Sequence, residues 1–201
     1  MPGPKAPEET RREQIVTAAY EVALRTGIDG VTLRAVAAKA KLSHGLVVFY
    51  FKKKDHLIGA LLDRVLATTA MLHVSKDVAR IPHAPERLGA LLRQELDRLS
   101  LDPRGRRLFF EYWALGVRRV LIRRRIGAAL ERYRAAFRAI AEELLAPANG
   151  TDVTPDALAA VAVSLISGYA LQAMIDPDNF DTGAYRMAAQ SLMERLAPTP
   201  A

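Results

Sequence analysis

Two hydroxyl residues, Thr32 and Ser43, each stand directly before a short helical pattern, and together they constrain this chain more than any other feature. At an N-cap, a threonine or serine oxygen accepts a hydrogen bond from an orphan amide in the first turn. After Thr32, the residues Leu33, Val36, Ala37 and Ala40 recur at helical spacing and give a narrow apolar face. Because Ser43 starts another helix so soon, the first must stop near Lys41-Leu42. Helices this short bury too little surface to stand alone. They predict a helix-turn-helix braced by neighbouring helices, with its second helix free to enter a DNA major groove.

The residues of that second helix fit this use. His44 and Gly45 fall in its first turn, and Gly45 has no side chain to hold the backbone away from a partner. Spacing of three turns Leu46 and Phe49 toward the core and leaves His44, Val47 and Val48 outward. Tyr50, Lys52, Lys53 and Lys54 follow. A phenol, ammonium groups and free amides at a helix start all suit phosphate oxygens. A lysine run alone equally describes a solvated helix start. Its conjunction with two caps, Ala37, Gly45 and Tyr50-Phe51 carries the reading.

Residues 9–69 resemble the DNA-binding domain of the TetR family of transcriptional regulators, with the helix-turn-helix at about 32–51. The pattern is Ser43-x-Gly45, Tyr50-Phe51, Lys54-Asp55 and Leu57-Ile58. The chain is most similar to the subgroup of the betaine-synthesis repressor, which also lacks a tyrosine at the position of Val48. Many members have glycine where this chain has Lys41, and a lysine at positive φ costs roughly 1 kcal/mol. The resemblance implies base contacts from His44, Gly45, Val47 and Val48. It implies phosphate contacts from Thr32, Ser43, Tyr50 and Lys54, the last two carrying more of the anchoring because Val48 replaces a phosphate-reaching tyrosine.

The rest of the chain reads as helices. Ile15, Ala18, Ala19 and Val22 mark one over residues 8–26, stopped by Gly27. Another runs from Asp55 to Thr69. After a connection over 76–86, Leu88 to Leu99 lie on one helix and Asp102-Pro103 opens the next. A long helix over about 122–145 ends at Pro147 and Asn149-Gly150. Thr154-Pro155 caps a helix to Ile175, Asp176-Pro177 breaks it, and the last runs over about 182–196. No stretch alternates as a strand does. The expected fold is all-α, about nine helices, with residues 70–201 forming an effector-binding and dimerisation bundle.

Ala157 to Ile175 carries no charge, which raises the membrane question. Ser164, Ser167, Gly168 and Gln172 inside it, and Asp156 and Asp176 at its ends, favour a buried helix and no membrane partner. Ala160, Ser164 and Gly168 lie on one face and let another helix approach closely. The resemblance gives that face a use, since the last two helices of each TetR subunit form a four-helix bundle across the dimer two-fold axis. Two symmetry-related heads then read a palindrome.

Phe109, Tyr112, Trp113, Tyr133 and Phe137 concentrate aromatic surface on two adjacent helices. Each taken singly suits ordinary core. Pockets between helices are mostly apolar, and family precedent puts a small-molecule inducer there, so these five are the expected effector site. The charge pattern is uneven. The chain carries +7, yet residues 104–138 hold 11 arginines against Glu111 and Glu131, while residues 139–201 hold 2 arginines against 8 acids. The Arg118, Arg119, Arg123, Arg124, Arg125 cluster reads as a solvated face paired with that acidic last third, or as a site for an anionic effector or extra DNA contact.

Catalysis has no support in the residues. The histidines at 44, 56, 73 and 83 lack metal-ligand spacing, and no His-Glu-x-x-His, Gly-x-Ser-x-Gly or phosphate loop occurs. No cofactor or metal is expected. Cysteine is absent, which leaves the redox compartment open; the first residues do not resemble a secretion signal, and a cytoplasmic protein is the default expectation. The expected function is ligand-responsive DNA-binding regulation, with repression the family default. A helical adaptor without effector, or an activator of the same fold, are the alternatives.

Overall fold

The computed structural model describes residues 7–69, 74–146 and 152–195. The amino-terminal arm and the stop at Pro147 and Asn149-Gly150 lie outside them. Ten helices and no strand occur among the described residues: α1 (Glu8–Thr26), α2 (Leu33–Ala40), α3 (His44–Phe51), α4 (Lys54–Thr69), α5 (Lys76–Ala79), α6 (Ala84–Leu101), α7 (Pro103–Arg118), α8 (Val120–Leu145), α9 (Pro155–Ile175) and α10 (Thr182–Arg195). The helix beyond the expected nine is α5, a single turn started by the Ser75 cap inside the connection.

Two compact units emerge. The first holds residues 1–69 with 107–126, and the second residues 70–106 with 127–201. In the first, α1 packs on α2 and α4, and α2 on α3. Ile15, Ala19, Val36, Leu57, Leu61 and Tyr112 are fully buried in its core. In the second, α6 packs on α9 and α10, and α9 on α10. Leu88, Leu91, Leu92, Phe137, Ala159 and Ala162 form its core. Packing thus groups residues 107–126 with the helix-turn-helix, whereas sequence reasoning assigned them to a second domain. The reason lies in α7 and the start of α8, whose polar contacts go to the Gly27–Ile28 link and to α4.

Helix α9, without charge from Ala157 onward, is long and apolar enough to cross a membrane by length and composition. One side of it, including Leu158, Ala162, Ile166 and Tyr169, is buried within the second unit. Tyr169 meets Ser100 of α6 at 3.1 Å, and Arg186 of α10 bonds both of these hydroxyls and Asp97. Burial raises the Tyr169 pKa, but hydrogen bonds with Ser100 and Arg186 outweigh it and bring the net value down.

Candidate nucleic-acid interface

The two expected caps form as written. Thr32 Oγ1 accepts from the Ala35 amide at 3.0 Å and Ser43 Oγ from the Leu46 amide at 3.2 Å. Between them Lys41 takes φ 55 and ψ 41, the left-handed conformation that closes a helix. Its amide bonds Ala38 O, and the Leu42 amide bonds Ala37 O at 3.0 Å. The turn is therefore well hydrogen-bonded despite the strain of a lysine at positive φ.

The facing of α3 differs from expectation. Val47 is fully buried and Phe49 is 73 % exposed, so Val47 does not project outward and Phe49 does not join the core. The physical reason is Phe51, fully buried at the end of α3 beneath the Arg12 guanidinium, 4.6 Å from the ring centre. Val47 stands four residues before Phe51 and shares its face. An eight-residue helix that is apolar nearly all round offers no periodicity to choose between the two settings. The outward side of α3 is His44, Gly45 and Phe49, with Val48 at its edge. Phe49 packs edge-on against the half-buried Tyr50, ring centres 5.3 Å apart.

Gly45 needs no special conformation and would meet no atom within 4 Å if it bore a Cβ. The fold itself does not require a glycine there. Lys54 is exposed, its Nζ donating to Asp29 O at 3.3 Å, and Arg12 Nη1 donates to Tyr50 O at 2.9 Å near the C-terminal end of α3. Lys52 and Lys53 are exposed, and their side chains have no polar partner among the described residues.

Residues 107–126 bind this head by contacts that sequence reasoning missed. The Glu111 carboxylate accepts the Ile28 amide at 2.7 Å and lies against Gly27, φ 72, where a Cβ would come within 2.9 Å of it. The buried Tyr112 hydroxyl donates to Ile58 O at 2.8 Å. Burial, then the charges of Asp63 and Glu111, pushes its pKa far up. Arg119 pairs with Asp55 at 2.9 Å, and Arg125 with Asp63 at 3.2 Å and with Gly59 O. Two of the five cluster arginines, Arg119 and Arg125, thus pair with acids on α4, and among the described residues none of the five pairs with an acid in residues 139–201. No local signal in the sequence marks such distant pairs. A groove of about 760 Å³ runs among Arg12, Lys53, His56, Gly59, Arg119 and Arg125.

Folding also relocates the charge. Residues 107–126 bring six arginines against Glu111 alone, adding +5 to the +4 of residues 1–69. The unit that holds the helix-turn-helix carries +9 and the other −2.

The five expected effector residues are not gathered in one unit. Phe109, Tyr112 and Trp113 belong to the first, and Tyr133 and Phe137 to the second. Phe110 and Trp113 stack with ring centres 5.6 Å apart, and Phe109 meets both edge-on. Tyr112 and Phe137 have no accessible surface, so neither lines a cavity that would admit water. In the second unit, the Tyr133 hydroxyl donates to the buried Glu95 carboxylate at 2.5 Å, and Arg98 bonds the same carboxylate. Burial, then the Glu95 charge, holds the Tyr133 pKa well above the usual phenol range. On α9, Ala160 and Ser164 are exposed and Gly168 half-buried, beside exposed Val161, Leu171 and Ile175.

A short capped helix presented by an all-α head with a concentrated positive charge defines a helix-turn-helix DNA-binding protein. Residues 15–61 match the bacterial regulatory proteins of the tetR family, and residues 84–198 match the C-terminal domain of BetI-type transcriptional repressors. The chain is 30% identical over 178 residues to an HTH-type transcriptional regulator in the dhlA 5′ region of Xanthobacter autotrophicus, covering 87% of this chain and 85% of that one. A transcriptional regulator from Pseudomonas aeruginosa superposes with TM-score 0.77 at 20% identity, over 96% of this chain and 92% of that one. The multidrug binding protein EbrR complexed with imidazole superposes with TM-score 0.65 at 27% identity, over the same shares. This chain belongs to the TetR family, with a BetI-type C-terminal domain. It is a DNA-binding transcriptional regulator.

Proposed function

We propose that the chain is a cytoplasmic, non-enzymatic repressor whose two α3 helices occupy successive major grooves of a palindromic operator. The observation that carries this reading is the outward side of α3, where a glycine that the fold does not need stands beside a serine cap. Base edges are read by His44, Gly45, Val48 and Phe49, with Phe49 replacing the buried Val47. Thr32, Ser43, Tyr50 and Lys54 hold phosphates. A capping hydroxyl uses its oxygen to accept the helix amide and keeps its proton to donate, so capping and phosphate binding are compatible at Thr32 and Ser43.

Residues 9–69 serve as the reading head and residues 70–201 carry sensing and dimerisation, with 107–126 joined to the head by packing. The dimer forms through the side of α9 that bears Ala160, Ser164 and Gly168. EbrR, a relative, binds imidazole; here the half-exposed aromatic face of α7, Phe109 with Trp113, contacts a small effector. The effector favours a state in which the heads are wrongly spaced, so operator occupancy falls by its differential affinity.

A gel-shift titration against the region upstream of its own gene tests the reading. A palindrome should be bound with affinity that falls steeply with salt. Indifference to duplex DNA overturns it. Trp113 is the single tryptophan, so its emission during a metabolite screen reports the effector directly, and a folded Trp113→Ala protein that keeps its full response removes α7 from the site.

A further inference from the structure

We propose that the α7–α8 corner is a second DNA-contact surface, with Arg118, Arg123 and Arg124 gripping the phosphate backbone that flanks each half-site. This rests on the DNA-binding reading above.

The two helices are separated by one residue, Arg119. Their close return depends on Gly116, where a Cβ would meet Ile126 Cδ1 at 3.2 Å and the Arg123 backbone at 3.6 Å. The corner is pinned to the head at a defined place. Arg119 bonds Asp55, which directly follows Lys54, and Arg125 bonds Asp63 about two turns further along the same side of α4. Those two arginines are neutralised. Arg118, Arg123 and Arg124 are exposed, and their side chains have no polar partner among the described residues. They share one compact unit with Lys52, Lys53 and Lys54, and Arg119 beside them lines one groove with Lys53.

So many like charges in one unit repel one another, and a polyanion relieves that repulsion. The shape of the surface selects the kind of anion. Arg119 and Arg125 line the groove, but Arg118, Arg123 and Arg124 do not. Three cations outside that groove suit an extended strand of phosphates better than a small effector. Val117, Val120 and Leu121 are exposed beside them, which makes an anionic lipid surface the rival occupant. The groove shared by Lys53 and Arg119, next to the phosphate contact proposed at Lys54, favours the duplex.

The test uses the full-length protein and a duplex that it selects from a randomised pool. That duplex is prepared in two lengths, trimmed to its two half-sites or extended by one helical turn at each end. Affinity is measured against salt for the parent, for Arg118→Ala/Arg123→Ala/Arg124→Ala, and for the corresponding triple lysine variant. Each lost phosphate contact flattens the plot of log affinity against log salt by about 0.9. The alanine variant, which loses three contacts from each of the two heads, should lose about five units of slope on the long duplex and none on the trimmed one. The lysine variant should keep the parent slope. Equal slopes for parent and alanine variant on the long duplex overturn the proposal, as does an equal loss on both lengths. So does an unchanged duplex slope combined with lost binding to anionic phospholipid vesicles. If the parent selects no duplex at all, the DNA-binding reading itself fails, which is a distinct result. All three positions are exposed, and an unchanged melting curve for the alanine variant excludes misfolding.

Discussion

Helices α3 and α9 pose one problem at two scales. Each is apolar around most of its circumference, over eight residues in α3 and over the charge-free Ala157–Ile175 stretch in α9. Each buries one side in its own unit and leaves apolar groups on the other: Phe49 on α3, and Val161, Leu171 and Ile175 on α9. Their frames differ. α3 runs into Lys52, Lys53 and Lys54 within the unit of charge +9. α9 is bounded by Asp156 and Asp176, in the unit of charge −2, and its exposed side carries Ala160 and Ser164. Cations around an apolar tip suit a nucleic-acid groove. Small residues along an apolar strip suit close packing of another helix. The frame, more than the hydrophobicity of the strip, decides the partner.

The largest effect should follow from spoiling the α9 frame. Ala160→Arg with Ser164→Arg puts two guanidinium groups on the strip proposed for a second copy. Both positions are exposed, so helicity should stay unchanged while the protein sediments as a monomer. Linked half-site binding raises overall affinity by about two orders of magnitude or more, and that gain should vanish on a palindromic duplex. A variant that remains dimeric would take this side of α9 out of the interface and dissolve the contrast with α3.

Next in size is the facing of α3. Val47→Ala should destabilise the protein by about 1–3 kcal/mol, read as a lower denaturation midpoint, because a fully buried side chain loses its methyl groups and leaves a void. Phe49→Ala should change stability by no more than about 0.5 kcal/mol, as exposed positions do, yet weaken operator binding by about tenfold, the loss of one good base contact. The opposite pattern would restore the facing read from sequence.

That facing marks where sequence reasoning stopped. Caps and breakers are local chemistry, so Thr32, Ser43, Thr154-Pro155 and Asp176-Pro177 put helix ends where they lie. Amphipathic helices such as α1 and α6 also declared their inner sides through spacing. The face of α3 was illegible because its composition is nearly uniform around the axis and the deciding residue, Phe51, is fixed by packing under Arg12. The attachment of α7 to the head was illegible for another reason. It rests on single contacts across long sequence separations, Glu111 to Ile28 and Tyr112 to Ile58, which leave no periodic trace. The effector residues were inferred from aromatic density, and two of them, Tyr112 and Phe137, turned out to be sealed core.

Gly45→Ala sharpens the comparison by separating fold from partner. A Cβ there meets nothing within 4 Å, and alanine is favoured over glycine in a helix by about 0.5–1 kcal/mol. Thermal melting should therefore show a protein slightly more stable than the parent. Operator affinity should fall several-fold, because the added methyl group stands where the backbone approaches the duplex. A variant both more stable and equally tight in binding would mean that the DNA never comes close to the first turn of α3.

The smallest effect concerns the cationic frame itself. Lys54→Ala removes one proposed phosphate contact, together with a 3.3 Å bond to Asp29 O in the free protein. That bond is exposed, so its loss should cost stability only a few tenths of a kcal/mol. Binding should weaken by a similar factor for operator and for unrelated duplex, and the salt slope should flatten by about one unit for each head bound. Phosphates carry no sequence information directly, and this is why uniformity matters more than size here. A variant that kept its affinity but lost its discrimination would make Lys54 a reader of bases. The lysines after α3 would then belong to the recognition surface, and the distinction drawn between an apolar tip and its charged frame would no longer hold.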